Sequence, residues 1–310
     1  VQPSPAHGKA AGGQTMSVGF IGLGIMGEGM AKCLLKSGRK LNVWNRSKAK
    51  SVALANEYPD AVTVFDTPAA VLGASELVYA MLSTPEVVKS VYEMENGILT
   101  GVRSVTKIVD CATLAPEDMV RLAAQVKERG GRFLEAPVSG SKGPAAAGQL
   151  IFLTAGDKPL YEEIKGNDLE AMGKASFFFG EGEAGLGARM KLVVNMLMGT
   201  MMCALGEGLS LCSAADLDCD QLLQVVELGP LSCGLFKLKA PKMLAGDHAP
   251  NFPLQHAQKD MRLAVELGTS LGLGLPVAAT ADAAMQRARG EGHSEEDFSA
   301  VYEAQKHTKA

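Results

Sequence analysis

The chain has 310 residues, of which 47% are hydrophobic and 21% are charged, and its formal net charge is −4. This length and composition are typical of a folded protein with about two domains and argue against extensive disorder. The slightly acidic charge balance argues against a protein that holds nucleic acid or an anionic membrane surface, so we expect neither as a partner.

Residues 1–15 are rich in Ala, Gly, Pro and Ser and contain no Asp or Glu. Such a segment cannot bury an apolar core, so we expect a disordered tail. Its composition is typical of a transit-peptide remnant or of an added tag. The first interpretation predicts an organelle, the chloroplast ahead of the mitochondrion, and the cytoplasm is the remaining alternative.

Between residues 17 and 180, short apolar runs alternate with helical patterns. This alternation predicts an α/β fold with a doubly wound, mostly parallel sheet of the Rossmann type. Helices are predicted to start at Thr67-Pro68 and Thr84-Pro85, because a capping hydroxyl there precedes a proline. The predicted strands are Val18–Ile21, Leu41–Trp44, Val62–Val64, Leu77–Leu82, Lys107–Asp110, Arg132–Leu134, Gln149–Thr154 and Ala175–Phe179.

After residue 181 the pattern is helical. A long apolar helix is predicted over 189–213, and its five methionines are typical of a core or a subunit interface. Its longest uncharged run, 192–206, is too short to span a bilayer. Ser294 and Asp297 have the spacing of a capping box for the last helix. We therefore predict two domains, 16–180 and 181–310, joined by the long helix, with an all-helical second domain that forms a homodimer or homotetramer.

The six cysteines lie at positions 33, 111, 203, 212, 219 and 233, and no two of them have Cys-x-x-Cys spacing. We expect buried, reduced thiols in a compartment that is not oxidising. A zinc site or a disulfide framework is the alternative, but no histidine cluster accompanies the cysteines, so we expect no metal.

A G-x-G-x-x-G motif, Gly22-Leu23-Gly24-Ile25-Met26-Gly27, lies between the first predicted strand and the first predicted helix. In such a motif the first glycine permits a tight turn, the second lets the backbone approach a pyrophosphate, and the third allows close packing of helix and strand. The helix N-terminus then faces the negative charge. We therefore predict that residues 16–180 bind a dinucleotide through all six residues of the motif.

The second predicted strand ends in Asn45-Arg46-Ser47, with no acidic residue. A domain that binds NAD usually has Asp or Glu at this point for the ribose 2′-hydroxyl, whereas a guanidinium suits a 2′-phosphate. Asn45 and Ser47 are predicted to add hydrogen bonds. The motif therefore indicates NADP(H), and the alternative interpretation of Arg46 is a solvated surface residue.

Four stretches of the chain resemble the 3-hydroxyisobutyrate dehydrogenase-related family of β-hydroxyacid dehydrogenases, and the resemblance covers about residues 16–305. Within that family the sequence is most similar to the plant and algal glyoxylate/succinic semialdehyde reductases. The stretches are Phe20–Met30, similar to the N-terminal signature; Glu135–Ser141, similar to the substrate-binding motif; Gly185–Asn195, similar to the catalytic motif; and Phe252–Asp260, similar to the C-terminal motif near the cofactor.

The resemblance implies that Lys191 is the general acid, which donates a proton to the substrate's carbonyl oxygen. Its apolar neighbours fit this role, since a buried ammonium needs a partner and Asn195 lies one helical turn away. The implied substrate-binding residues are Ser139, Gly140, Ser141, Asn195, Phe252 and Asp260. The further residues expected to bind the cofactor are Leu82, Ser83, Thr113 and Lys259.

Two positions depart from the family pattern. Ala112 stands where a serine is usual, and Val194 stands where 3-hydroxyisobutyrate dehydrogenase itself usually has Asn. The second difference shifts the expected substrate towards glyoxylate-type aldehydes.

The resemblance implies NADPH-dependent reduction of small carboxylated aldehydes, glyoxylate to glycolate and succinic semialdehyde to 4-hydroxybutyrate. Two alternatives stay open. One is an NAD-dependent 3-hydroxyisobutyrate-type dehydrogenase, which Arg46 argues against. The other is a non-catalytic, dehydrogenase-like interaction module, which Lys191 argues against, because relatives of that kind can carry Met at this position.

Overall fold

The computed structural model describes residues 17–306, so the tail predicted over residues 1–15 lies outside the described residues. The described chain contains a single nine-stranded sheet followed by a bundle of helices. The strands are β1 (Val18–Ile21), β2 (Leu41–Trp44), β3 (Val62–Val64), β4 (Leu77–Ala80), β5 (Lys107–Asp110), β6 (Arg132–Glu135), β7 (Val138–Ser139), β8 (Leu150–Gly156) and β9 (Gly173–Glu181).

The first six strands are parallel and lie in the order β3-β2-β1-β4-β5-β6. The order reverses between β1 and β4, and ligands of doubly wound sheets bind at the carboxyl ends of the strands at such a point. Strands β6 and β7 pair antiparallel with successive parts of β8, and β9 lies parallel to β8. The predicted strands are confirmed, whereas the two-residue strand β7 was not predicted.

Helices cover both faces of the sheet, each over its own apolar core. The two predicted helix starts are confirmed, because the Thr67 and Thr84 hydroxyls accept hydrogen bonds from Ala70 N at 3.2 Å and Val87 N at 3.3 Å. The helices of this part are α1 (Gly27–Lys36), α2 (Lys48–Glu57), α3 (Pro68–Ala74), α4 (Pro85–Glu93), α5 (Ile98–Gly101), α6 (Pro116–Glu128), α7 (Lys142–Ala146), α8 (Lys158–Ile164) and α9 (Glu170–Met172).

The chain after β9 is helical, as predicted, and the proposed division at residues 180/181 falls at the end of that strand. A separate apolar core joins the helices of this part. They are α10 (Leu186–Ala214), α11 (Cys219–Leu228), α12 (Gly234–Ala245), α13 (Leu254–Ser270) and α14 (Pro276–Ala288), with a 3₁₀ helix at Phe298–Tyr302.

Among the described helices, α10 is the one that is long enough and apolar enough to cross a membrane, by length and composition alone. It packs against β8 of the sheet and against α13 and α14 of the bundle, so it joins the two parts of the protein. Every third or fourth residue is buried, and the buried face includes Lys191 and Asn195. The predicted long helix is confirmed, and it begins three residues earlier than the pattern indicated.

The predicted capping box at Ser294 is wrong. The last helical segment begins after Asp297, and the carboxylate of Asp297 itself caps it by accepting a hydrogen bond from Ser299 N at 3.2 Å. Asp297 is buried in an ion pair with Lys239, and a local sequence pattern does not reveal such a distant partner.

The six cysteines are free thiols. Four of them are buried, as predicted, whereas Cys219 and Cys233 are half-buried. Among the described residues no group of three His, Cys, Asp or Glu side chains is arranged to hold a metal ion.

Candidate active site

The turn between β1 and α1 depends on its three glycines in three different ways. Gly22 has a φ of +99°, and a Cβ there would collide with the carbonyl oxygen of Met81, the residue after β4. Gly24 has open space where a Cβ would lie. A Cβ at Gly27 would collide with the Gly22 carbonyl oxygen, so only glycine lets α1 start this close to β1. The arrangement is that of a dinucleotide-binding turn, whose open middle glycine admits a pyrophosphate.

The carboxyl end of β2 lies beside this turn. Asn45 accepts a hydrogen bond from Leu23 N at 2.9 Å and donates one to the Ser47 carbonyl oxygen at 3.0 Å. Asn45 and Ser47 do not line the cleft, and the side chain of Asn45 holds the glycine turn against β2. Arg46 is exposed and lines the cleft.

Lys50 also lines the cleft beside Arg46, and the sequence analysis missed it. It lies in the first turn of α2, four residues after Arg46, which immediately precedes the N-cap residue Ser47. Neither forms an ion pair within residues 17–306. Two unpaired cations at the far end of a dinucleotide cleft form a site for an anion. The signal in the sequence is the i, i+4 spacing of Arg46 and Lys50.

The opposite end of the cleft holds a chain of polar side chains. Lys191 is 5% exposed, and its Nζ donates a hydrogen bond to Asn195 Oδ1 at 2.8 Å. Asn195 Nδ2 donates to Asp260 Oδ2 at 2.5 Å, and Asp260 Oδ1 lies 2.8 Å from Lys259 Nζ in an ion pair. This row of four adjoining polar side chains therefore links helix α10 to helix α13.

The electrostatic environment of this row of side chains favours proton exchange by Lys191. Burial lowers the pKa of Lys191 from its ordinary 10.5 to about 8, with Asp260 opposing the shift and Lys259 adding to it. A lysine whose pKa is near the working pH exchanges a proton readily.

Residues at the ends of β4 and β5 form the sheet side of the cleft. Leu82, Ser83 and Thr113 line it, as predicted. Lys259 also lines it and donates from Nζ to the Thr113 carbonyl oxygen at 2.5 Å, so this lysine ties the helical bundle to the sheet edge.

The loop after β7 forms a further wall. Gly140 has a φ of +137° and lines the cleft, whereas Ser139 and Ser141 do not. A Cβ on Gly140 would lie 2.7 Å from Leu150 Cδ2, so the turn has no room for a side chain. A tight glycine turn in the same cleft as Lys191 presents backbone rather than hydroxyls, and main-chain N–H groups of such turns bind anions such as carboxylates.

Phe252 lines the cleft from the helical side, and a buried ion pair holds its backbone. Asp297 Oδ2 accepts hydrogen bonds from Asn251 N and Phe252 N, each at 3.1 Å. Asp297 Oδ1 lies 2.6 Å from Lys239 Nζ, and the two side chains are 2% and 4% exposed. Sequence analysis assigned neither Lys239 nor Asp297 to the site, because their partners are far away along the chain.

The cleft has a volume of about 450 Å³ and lies between the sheet edge and the helical bundle. This volume is within the range of small-molecule sites. Of the predicted residues, the following line it: Gly24, Ile25, Met26, Gly27, Arg46, Leu82, Ser83, Thr113, Gly140, Lys191, Asn195, Phe252, Lys259 and Asp260. The following do not: Gly22, Leu23, Asn45, Ser47, Ser139 and Ser141. Unpredicted lining residues include Lys50, Asn251, His256 and Glu295.

Comparison with known proteins gives two family matches that together cover nearly the whole described chain. Residues 17–180 match the NAD-binding domain of 6-phosphogluconate dehydrogenase. Residues 185–305 match the NAD-binding domain of NADP-dependent 3-hydroxyisobutyrate dehydrogenase.

Two plant proteins are similar to this chain over most of their lengths. Glyoxylate/succinic semialdehyde reductase 2, chloroplastic, from Arabidopsis thaliana is 44% identical over 96% of this chain and 81% of its own length. Glyoxylate/succinic semialdehyde reductase 1 from the same plant is 44% identical over 94% of this chain and 99% of its own.

Among solved structures, 3-hydroxyisobutyrate dehydrogenase from Mycobacterium tuberculosis has a TM-score of 0.81 and 26% identity. The match covers 94% of this chain and 99% of that one. A Rossmann-type sheet followed by a helical domain is therefore the shared architecture, and the predicted fold class is confirmed.

Proposed function

Because the chain belongs to the 3-hydroxyisobutyrate dehydrogenase family and is an NADP-linked oxidoreductase, we propose that it reduces small carboxylated aldehydes with NADPH. The observation that carries the proposal is the buried Lys191, which lies in the same cleft as an open glycine turn and two unpaired cations. A proton donor and a dinucleotide-binding turn in one cleft are what carbonyl reduction requires.

The residues present fit a bound NADP(H). The open position at Gly24 and the N-terminus of α1 would hold the pyrophosphate, and Arg46 with Lys50 would hold the 2′-phosphate. Leu82, Ser83 and Thr113 at the strand ends, together with Lys259, would border the nicotinamide end. When bound, the cofactor supplies the hydride that reaches the carbonyl carbon.

Lys191 would donate the proton that the carbonyl oxygen gains and would stabilise the negative charge that develops there. Asn195 orients the ammonium, because its Oδ1 accepts from Lys191 and its amide is fixed by Asp260. The other oxygen of the same carboxylate, Asp260 Oδ1, forms an ion pair with Lys259.

The rest of the pocket suits a short substrate with a carboxylate. We propose that main-chain N–H groups at Gly140 bind the carboxylate and that Phe252 covers the substrate. We propose Ser139 and Ser141 as substrate-binding residues because they flank Gly140 on both sides, although neither residue lines the cleft.

We propose glyoxylate and succinic semialdehyde as substrates, giving glycolate and 4-hydroxybutyrate. Both aldehydes occur in the names of the two 44% identical relatives. Both carry a carboxylate at one end and a reducible aldehyde, which matches the Gly140 turn and Lys191 on two walls of one cleft.

A steady-state panel tests the proposal. Glyoxylate and succinic semialdehyde should each be reduced with NADPH, and 3-hydroxyisobutyrate should be oxidised at least about tenfold less efficiently, measured as kcat/KM. Oxidation of 3-hydroxyisobutyrate with NAD as the fastest reaction would instead support the dehydrogenase alternative. Absence of turnover with all three compounds would support the non-catalytic alternative.

We propose that the protein is a homodimer or homotetramer through its helical part. An apolar stripe runs along the exposed face of α10, with Val193 46% exposed, Leu197 54% and Leu211 70%. On the adjoining α11, Leu228 is 90% exposed. Exposed large apolar side chains on two adjoining helices are typical of a subunit interface.

Light scattering should therefore give a mass that is a multiple of the 32.4 kDa subunit. Leu211→Glu should lower that mass towards the subunit value, because a carboxylate would have to be buried at the interface. A wild-type mass of one subunit at micromolar concentration would contradict the proposal.

We propose a plastid location, because one of the two similar plant proteins is named as chloroplastic and the other name gives no compartment. Imaging of the tagged full-length precursor tests it, and a mitochondrial or diffuse cytoplasmic signal would argue for one of the alternatives.

A further inference from the structure

A buried carboxylate outside the cleft connects two walls of the candidate site. Glu135 is the last residue of β6 and is fully buried. Its Oε1 accepts hydrogen bonds from Gly185 N at 2.7 Å and Gly187 N at 2.8 Å, and its Oε2 accepts one from Ala188 N at 3.3 Å. These donors lie in the first turn of α10, which has no side-chain cap of its own. Glu135 therefore caps α10 from a different element, 50 residues earlier in the chain.

The cap coincides with a close approach of α10 to the sheet. A Cβ on Gly187 would collide with the carbonyl oxygen of Leu153 on β8 and would lie 3.3 Å from Glu135 Cδ. The start of the helix is thus fixed in two directions, by the carboxylate and by backbone contact. Lys191 follows Gly187 by four residues, about 6 Å along the helix axis, so the docking of the first turn sets where its side chain begins.

Glu135 is also connected to a second wall of the site, the turn at Gly140. Glu135 is followed by Ala136, Pro137 and then β7, whose pairing with β8 leads into the turn at Gly140. Proline restricts the backbone of this short connection. The residue that caps the helix of Lys191 therefore lies only five residues before Gly140.

Burial raises the pKa of Glu135 from 4.5 to about 7, against the three N–H groups that favour its ionised form. Because the pKa is raised on folding, Glu135 lowers the stability of the protein progressively as the pH rises from about 4.5 to 7. Its neighbour in the register, Asp110 on β5, adds repulsion and is itself buried against Tyr92, with a pKa raised to about 6.

We propose that Glu135 is a positioning residue, whose length sets the separation between Lys191 and the Gly140 turn. This proposal rests on the proposed function, in which Lys191 donates the proton and Gly140 binds the substrate carboxylate. A shift of about 1 Å at a reacting centre can lower turnover about 100-fold. We therefore expect turnover to depend on the length of the Glu135 side chain to within one methylene group, although Glu135 does not line the cleft.

Two substitutions separate the effect of side-chain length at residue 135 from the effect of its charge. Glu135→Asp keeps the carboxylate and shortens the side chain by one carbon, whereas Glu135→Gln keeps the length and removes the charge. We expect Glu135→Asp to lower kcat for aldehyde reduction at least about tenfold and Glu135→Gln to lower it less than about threefold, since the amide oxygen can replace Oε1. The KM for NADPH should stay within about twofold in both, because Arg46 and the glycine turn are untouched.

The surface variant Glu163→Asp is the matched control, because it also loses one methylene, but from an exposed ion pair with Lys107. A large loss in Glu135→Gln together with normal turnover in Glu135→Asp would show that charge at the helix end matters and would overturn the proposal. Equal turnover in all variants, or a KM for NADPH that rises as kcat falls, would also overturn it.

Gly187→Ala tests the same docking while leaving residue 135 a glutamate, and it decides the matter if Glu135→Asp does not fold. Its added methyl group must push the first turn of α10 off β8, so the same fall in kcat is expected at constant KM for NADPH. Amide exchange over residues 185–191 gives a readout that does not depend on turnover. Faster exchange in Glu135→Asp and Gly187→Ala supports the docking role even where wild type reduces neither aldehyde. Unchanged exchange in both variants refutes the docking role.

Discussion

Lys191→Met should lower turnover of aldehyde reduction at least about 100-fold, the lower end of the usual contribution of a general acid. Methionine is nearly as long as lysine and packs well among apolar side chains, so the helix should be preserved while the proton donor is lost. Lys191 is 5% exposed and donates a hydrogen bond to Asn195, so it is shielded from bulk water. Stopped-flow measurement of NADPH oxidation gives the rate, and NADPH fluorescence should show binding within about twofold of wild type.

The matched control is Lys237→Met, which removes a lysine from an exposed ion pair with Glu227 and should leave turnover unchanged. If Lys191→Met retained more than about a tenth of wild-type turnover, the assignment of Lys191 as the general acid would be wrong. Loss of NADPH binding in proportion to the loss of turnover would also contradict the assignment, because Lys191 would then serve the cofactor.

The pH dependence gives the same assignment a second readout. Burial lowers the pKa of Lys191 to about 8, and reduction needs the protonated form. The kcat/KM for reduction should therefore be level below about pH 7.5 and fall about tenfold per pH unit above 8.5. In the reverse direction the neutral amine is the active form, so alcohol oxidation should rise over the same range. A reduction profile that rises with pH across this range contradicts the role of Lys191.

The parts of the site that depend on neighbours in the sequence were predictable. The glycine turn is one, because Gly22, Gly24 and Gly27 lie within six residues and each meets its own local requirement. The pairing of Lys191 with Asn195 is another, because residues four apart lie on one face of a helix.

What local patterns missed are contacts between residues that are distant along the chain. Asn45 was predicted to bind the cofactor, which stays a prediction, but its contact with Leu23 N, 22 residues earlier, was not foreseen. Ser294 was assigned as a cap, although the capping residue is Asp297, which is fixed by Lys239, 58 residues earlier. The role of Glu135 was invisible for the same reason, because the helix that it caps begins at Leu186. A local pattern carries no information on which elements become neighbours after folding.

Arg46→Asp should reverse the preference of the enzyme for NADPH over NADH. A 2′-phosphate carries close to two negative charges, and one charge-assisted contact contributes about 1.5–3 kcal/mol, or roughly 10- to 150-fold in affinity. Arg46 and Lys50 are exposed, so solvent screening places the wild-type preference towards the lower end of that range. A carboxylate at this position repels the phosphate and leaves the 2′-hydroxyl of NADH acceptable, so the KM for NADPH should rise far more than that for NADH.

The two cations allow a further step in the same experiment. Lys50→Ala should lower the preference less than Arg46→Ala, because an ammonium makes a point contact whereas a guanidinium binds two phosphate oxygens. Arg129→Asp, at an exposed arginine on the far end of α6, changes the net charge by the same amount as Arg46→Asp and should leave the preference as in wild type. Raising the ionic strength should reduce the wild-type preference, since an exposed ion pair is screened. Equal use of both cofactors by wild type, or a ratio that Arg46→Asp leaves unchanged, would show that Arg46 does not bind the phosphate. The choice of cofactor would then depend on other residues of the cleft.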